Sequence, residues 1–249
     1  MSTNEKLIHL WEQLYPHHEK AKLYAFLDSL EVQPIQSDGE SDWYKDAVVY
    51  SLYVDLYAKN FDGLTAKLDY LQGLGVSCLW LLPILDSPMR DAGFDIRNYD
   101  LIRHDLLGLE PGFSREEQEA VFGRFLGEAH ARGIRVIFDI AINHCSEEHP
   151  WFIEAKKSVG NPYRDYFIWS RNTDLYKDAR IIFKGMENSN WEPLGDTNFF
   201  HRFFNFQPDL NYKNPEVLFA MTRNMLYWQK MGVDGFRADA IPYLWKEEG

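Results

Sequence analysis

Three largely apolar runs, at residues 47–54, 76–82 and 134–140, and a fourth strand-like stretch at 233–239 punctuate the chain, and amphipathic helical patterns separate them. Unalternating runs of that length suit strands buried on both faces. The turns from helix into strand are short, so the strands should be parallel and joined by right-handed crossovers. Two connections that leave strands are long, residues 83–113 and 141–213. A structureless loop of about 70 residues does not belong in a compact domain, so the second reads as an inserted subdomain. Long segments after strands, never before them, fit a barrel or a doubly wound sheet, and in both the site collects at the C-terminal strand ends.

Local signals place the helices. Asp62 can cap a helix with Leu64, Leu68 and Leu71 on one face and Gly75 as its stop. Ser114 and Glu117 have capping-box spacing before a Val121, Phe125, Ala129 stripe that ends at Gly133. Asn214-Pro215 is a cap with proline at the first helical position, opening a helix to about Met231. Residues 5–30 read as helix, with Leu7, Leu10 and Leu14 as one stripe and Leu23, Phe26, Leu27 and Leu30 as another after Pro16. Residues 31–42 read as a linker around Pro34 and Gly39. The expected organisation is therefore an N-terminal helical appendage and linker (1–41), three strands (42–140), an inserted subdomain (141–213), and a last helix and fourth strand (214–249).

Composition excludes several partners. Against 38 Asp and Glu there are 26 Lys and Arg, a net charge of −12 with no basic cluster, which disfavours nucleic acid. No apolar run approaches the ~18 residues that span a membrane. Met1 to Leu14 is too polar for a secretory leader. Cys78 and Cys145 fit neither a zinc nor a redox spacing, which suggests a reducing, cytoplasmic setting. Aromatic residues make up 16% of the chain, enough to serve a core or to stack on sugars.

The last two strands close on polar residues. Arg237 and Asp239 are two apart and share a face of an extended strand. They read equally as a nucleophile held ionised by its arginine or as a structural pair sealing the sheet end. His144, in Asn143-His144 after the third strand, reads by itself as a core or loop histidine.

Together these residues resemble the α-amylase family, glycoside hydrolase family 13. Asp139-x-x-x-Asn143-His144 and Gly235-Phe236-Arg237-x-Asp239-Ala240 are similar to its first two signature regions. The stretch from Gly75 to Ile84 resembles its second-strand motif, and Gln207-Pro208-Asp209-Leu210-Asn211 its motif late in the inserted domain. The stretch from Tyr176 to Phe183, Ser189-Asn190-Trp191 and the stretch from Asp234 to Leu244 look most like trehalose synthases within that family, near the oligo-1,6-glucosidases. The resemblance covers about residues 42–249. It implies strands one to four of a (β/α)₈ barrel and a retaining mechanism through a covalent glycosyl-enzyme. It places the nucleophile at Asp239, its holding arginine at Arg237, and sugar contacts at Phe94, Asp95, His144 and Gln207, with Asn143 supporting the loop. Trp151, Phe152 and Phe206 could wall the sugar or belong to the inserted core.

The implied substrates are small α-linked glucosides such as maltose, in glucosyl transfer like that of a trehalose synthase or in hydrolysis of the α-glucosidase or α-amylase type. Phe94 stands where the family usually has tyrosine, and Cys145 where threonine is common. The family's calcium loop is replaced by the short segment Tyr57 to Gly63, so no metal or other cofactor is expected. The family's general-acid glutamate follows a fifth strand, which would lie beyond Gly249; Glu247 and Glu248 read as a solvated face. The chain alone is therefore expected to be inactive, completed by a further C-terminal half or a second chain. The competing reading is a non-catalytic, sugar-binding half-barrel.

Overall fold

The computed structural model describes residues 3–30 and 42–248. Two helices open it, α1 (Thr3–Leu14) and α2 (Lys20–Asp28). The sheet elements and their helices follow as β1 (Val49–Leu52), α3 (Val54–Ala58), α4 (Phe61–Thr65), α5 (Leu68–Gly73) and β2 (Cys78–Leu81). Next come β3 (Leu85–Asp86), β4 (Asn98–Ile102), α6 (His104–Leu107), α7 (Arg115–Ala131) and β5 (Arg135–Ala141). The chain continues through α8 (Pro150–Ala155), β6 (Trp169–Ser170), β7 (Trp191–Leu194), β8 (Thr197–Phe200), α9 (Pro215–Lys230) and β9 (Gly235–Asp239).

Strands β1, β2, β5 and β9 form one parallel sheet in that order. The sheet is open, as a partial (β/α)₈ barrel requires, with β1 and β9 at its edges. That openness corrects one expectation: Val48 and Val49 are about half exposed, so the first strand is not buried on both faces. A buried strand needs a neighbour on each side of the sheet, and β1 pairs only with β2.

Local chemistry accounts for the helices. Ser114 accepts from the Glu117 amide and Glu117 returns a bond to the Ser114 amide, so both halves of the capping box form at α7. Asn214 caps α9 through the Glu216 amide, with Pro215 in its first turn. The cap of α4 is Asn60, not Asp62, its side chain accepting from the Gly63 amide at 2.9 Å. Helix α7 is tied to the start of β9 where His130 meets Asp234 at 2.8 Å, and Asp234 also accepts from the Val136 amide. Burial pushes Asp234 up, but the bonds from His130 and the Val136 amide, with the nearby charges, outweigh it and hold the carboxyl low.

The N-terminal helices break at Pro16, and their packing corrects the leucine stripe. Leu7, Leu10 and Leu14 are exposed, whereas Trp11 and Tyr15 are buried. Those two rings, with Leu23 and Phe26, form a satellite core with Phe219 of α9. Phe219 stacks on Phe26 at 4.2 Å and on Trp11 at 5.6 Å. The expected linker, residues 31–42, lies outside the described residues except for Asp42.

Both long connections carry structure of their own. The first contains the antiparallel pair β3–β4, and the second contains α8 and the antiparallel sheet β6-β8-β7. Among the described residues no helix is long and apolar enough to cross a membrane.

Candidate active site

Strand register builds the centre of the site. In the parallel ladder Asp139 of β5 sits opposite Arg237 of β9, and Ala141 opposite Asp239. Paired positions on adjacent strands share a face, so Arg237 reaches both carboxylates. Its Nη1 donates to Asp139 Oδ1 at 2.8 Å and to Asp239 Oδ1 at 2.5 Å. Trp80 of β2 donates from Nε1 to the other Asp139 oxygen at 2.8 Å. Asp139 is buried, whereas the Asp239 side chain keeps one fifth of its surface exposed. Burial pushes the Asp139 carboxyl up, and the Arg237 and Trp80 bonds pull against that rise.

The turn after β5 is pinned from two sides. The Tyr99 hydroxyl lies 2.8 Å from the carbonyls of Ala141 and His144, and Tyr212 donates to the Ile142 carbonyl at 2.7 Å. This holds His144 in the interior, its ring 4.8 Å from Phe203. Burial lowers its pKa, against the opposing pull of Asp209, Asp239 and Asp91. Its Nε2 is buried and finds no hydrogen-bond partner among the described residues.

The loop after β3 holds Asp95 through bonds of its own. Asp95 is fully buried and spends its oxygens inside the loop, accepting from Ser87 Oγ at 2.8 Å and the Arg90 amide at 3.0 Å. The carboxylate whose charge reaches His144 and Asp239 is Asp91, four positions earlier. Gln207 is buried too and donates from Nε2 to Asp91 Oδ2 at 2.8 Å, so it positions that carboxylate. Tyr53, just past β1, lies close enough that Asp139 and Asp91 help burial raise its pKa.

Sequence reasoning missed Asp91, Tyr53 and Phe203. The usable signal was Gly93, because a sharp loop sets where the aspartates on either side of it point. Gly93 has φ of +94°, and a Cβ there would meet the Pro83 Cβ at 2.7 Å. Gly93→Ala should lower stability by about 1–3 kcal/mol, through strain at a left-handed position and a close contact. A thermal melt at the wild-type temperature would contradict it.

The aromatic residues divide. Phe152 belongs to the inserted core, packed against Phe167, Phe199 and Trp169, and Trp151 packs on Tyr99 and Tyr166. Phe206 stacks on Phe204 and carries the Arg90 guanidinium 3.8 Å over its face, next to Asp91 in sequence. Phe94 is half-buried against the main core. A cavity of about 240 Å³ opens where the inserted segment meets the stretch after β9, with Tyr176, Arg202, Tyr243 and Trp245 in its walls. Glu247 and Glu248 are exposed. Among the described residues no group of three His, Cys, Asp or Glu is placed to hold a metal ion.

The family described as "Alpha amylase, catalytic domain" matches residues 36–249. The chain belongs to the α-amylase family. Among relatives in this family, a trehalose synthase/amylase of Mycolicibacterium smegmatis is 45% identical over 219 residues, 84% of this chain and 35% of that protein. An oligo-1,6-glucosidase of Parageobacillus thermoglucosidasius is 40% identical over 218 residues, covering 83% of this chain and 36% of that protein. The crystal structure of a trehalose-6-phosphate hydrolase of Bacillus licheniformis superposes with a TM-score of 0.69 at 34% identity, over 82% of this chain and 37% of that one. The chain thus spans little more than a third of the length of the relatives it matches.

Proposed function

We propose that the chain supplies the nucleophile and the sugar-binding wall of a retaining enzyme that transfers a glucosyl unit from a small α-glucoside such as maltose, in the manner of a trehalose synthase. The observation that carries this reading is Arg237 bridging the buried Asp139 and the accessible Asp239 through one nitrogen. Arg237 engages Oδ1 of Asp239 and leaves Oδ2 open, as a nucleophile requires. The high identity to trehalose synthases supports the substrate class.

The chemistry follows from the geometry. Arg237 holds Oδ1 of Asp239, leaving Oδ2 to attack the anomeric carbon. As that bond forms, the glycosidic C–O bond breaks and the leaving oxygen takes a proton from a general acid. A hydroxyl of the released glucose, or water, then gives its proton to that same group, now a base, and attacks the anomeric carbon, which breaks the bond to Asp239 and frees its carboxylate. Asp91 and His144 face the sugar, the first as an acceptor held by Gln207. The proton donor comes from strands that complete the sheet beyond the open edges of β1 and β9, in the same protein or in a second chain. The buried, free Cys78 and Cys145 support a reducing, cytoplasmic setting.

The test is to incubate the whole protein that carries this chain with maltose and separate the products. Trehalose as the main product is expected. Glucose alone would move the reading to a hydrolase, and sugar binding without turnover would favour the non-catalytic half-barrel.

A further inference from the structure

We infer that Lys246, on the segment after β9, sets which nitrogen of His144 carries the proton, acting through the side-chain amide of Asn143. Lys246 Nζ is ringed by acceptors: Asn143 Oδ1 at 2.9 Å, Asp209 Oδ2 at 3.0 Å, and the carbonyls of Leu210 at 3.2 Å and Leu244 at 3.5 Å. An ammonium group only donates. The lysine side chain is 8% exposed and Asp209 is fully buried, so neither charge can turn to water and the arrangement is fixed.

The rest follows by elimination. The Asn143 oxygen must face Lys246, because the reverse orientation would aim an NH₂ at an ammonium. Its Nδ2 is thereby sent to His144 Nδ1, 3.3 Å away. An amide NH₂ donates, so Nδ1 must accept, and a neutral imidazole then keeps its one proton on Nε2. Burial disfavours the charged ring, so the tautomer is a real choice. Nε2 is the atom left without a protein partner. Asp91 and Asp239 beside it can only accept, so a donor there gives a polyhydroxyl ligand the complementary half of its hydrogen bonds. Lys246 is a positioning residue in this scheme. It also joins the segment behind Asp239 to the two segments that carry His144 and Asp209, which bridge each other in antiparallel fashion. The consequence for sugar binding rests on the proposed function, whereas the proton placement does not.

Nitrogen-15 NMR of the whole protein, labelled at histidine and assigned by the signals lost in His144→Gln, reads the tautomer directly. Wild type should show the proton on Nε2. Asn143→Asp places a carboxylate, kept ionised by Lys246, against Nδ1 and should move the proton to Nδ1. Lys246→Met combined with Asp209→Asn removes both buried charges together, which protects the fold, and should give a clear Nδ1-protonated fraction. Both variants should lose about tenfold in kcat/KM for maltose, mainly through KM, as expected for one lost hydrogen bond to substrate. A proton that stays on Nε2 in both variants overturns the inference. A proton that moves while KM holds leaves the inference standing and removes His144 from the sugar contacts.

Discussion

Replacing Asp239 with asparagine should abolish turnover while leaving the protein folded. The amide keeps the shape of the carboxylate, and its oxygen can still accept from Arg237 Nη1, which lies 2.5 Å from Oδ1 in the native arrangement. What it loses is the anion that forms the glycosyl-enzyme bond. Removing a nucleophile that acts in concert with its neighbours lowers kcat by about 10⁴-fold or more. Asp239 is partly exposed, and a neutral isostere leaves no unpaired charge behind it, so the melting temperature should stay within a few degrees. Steady-state rates on maltose beside a thermal melt separate the two effects. Turnover within tenfold of wild type would remove Asp239 from the nucleophile position and leave the Arg–Asp pair as a seal.

That choice between nucleophile and seal marks where sequence reading stops. The alternation of runs and stripes gave the parallel strands, and the signals at Ser114 and at Asn214-Pro215 gave the two long helices, because caps and short turns are decided within a few residues. The spacing of Arg237 and Asp239 also put them on one face. It could not show that Asp139 stands opposite Arg237, since strand register is a tertiary fact. What the sequence left open shares that origin. Leu7, Leu10 and Leu14 form a good helical stripe, yet the face that packs is the one bearing Trp11 and Tyr15, chosen by Phe219 about two hundred residues away. The run Gly93-Phe94-Asp95 points to Asp95, and letters alone do not show that its oxygens bond within the loop while Asp91 meets Gln207. The backbone sets both arrangements, with Met89, Ala92 and Gly93 all at positive φ.

Arg237→Met tests the other half of the pair, and pH gives it a signature. Asp139 would keep the Trp80 bond but lose its only cation among the described residues. Breaking a buried pair by removing one partner costs about 3–5 kcal/mol, but the Arg237 side chain is 42% exposed, so about 1–3 kcal/mol is expected after solvent screening. The carboxyl, already raised by burial, would rise further in the folded protein. A folded-state pKa above the unfolded one means that the folded form binds the extra proton. Stability is then fullest below the unfolded value of about 3.9 and is lost as pH climbs through the folded value. The gap between wild type and Arg237→Met should therefore be small near pH 4 and widen toward pH 7. Asp139→Asn in the same variant should close most of it, because the buried charge is gone. Urea midpoints across that range measure each arm. A gap that is constant with pH, or one that Asp139→Asn does not narrow, would show that Arg237 contributes through packing on Trp80 and not through the carboxylates it bridges.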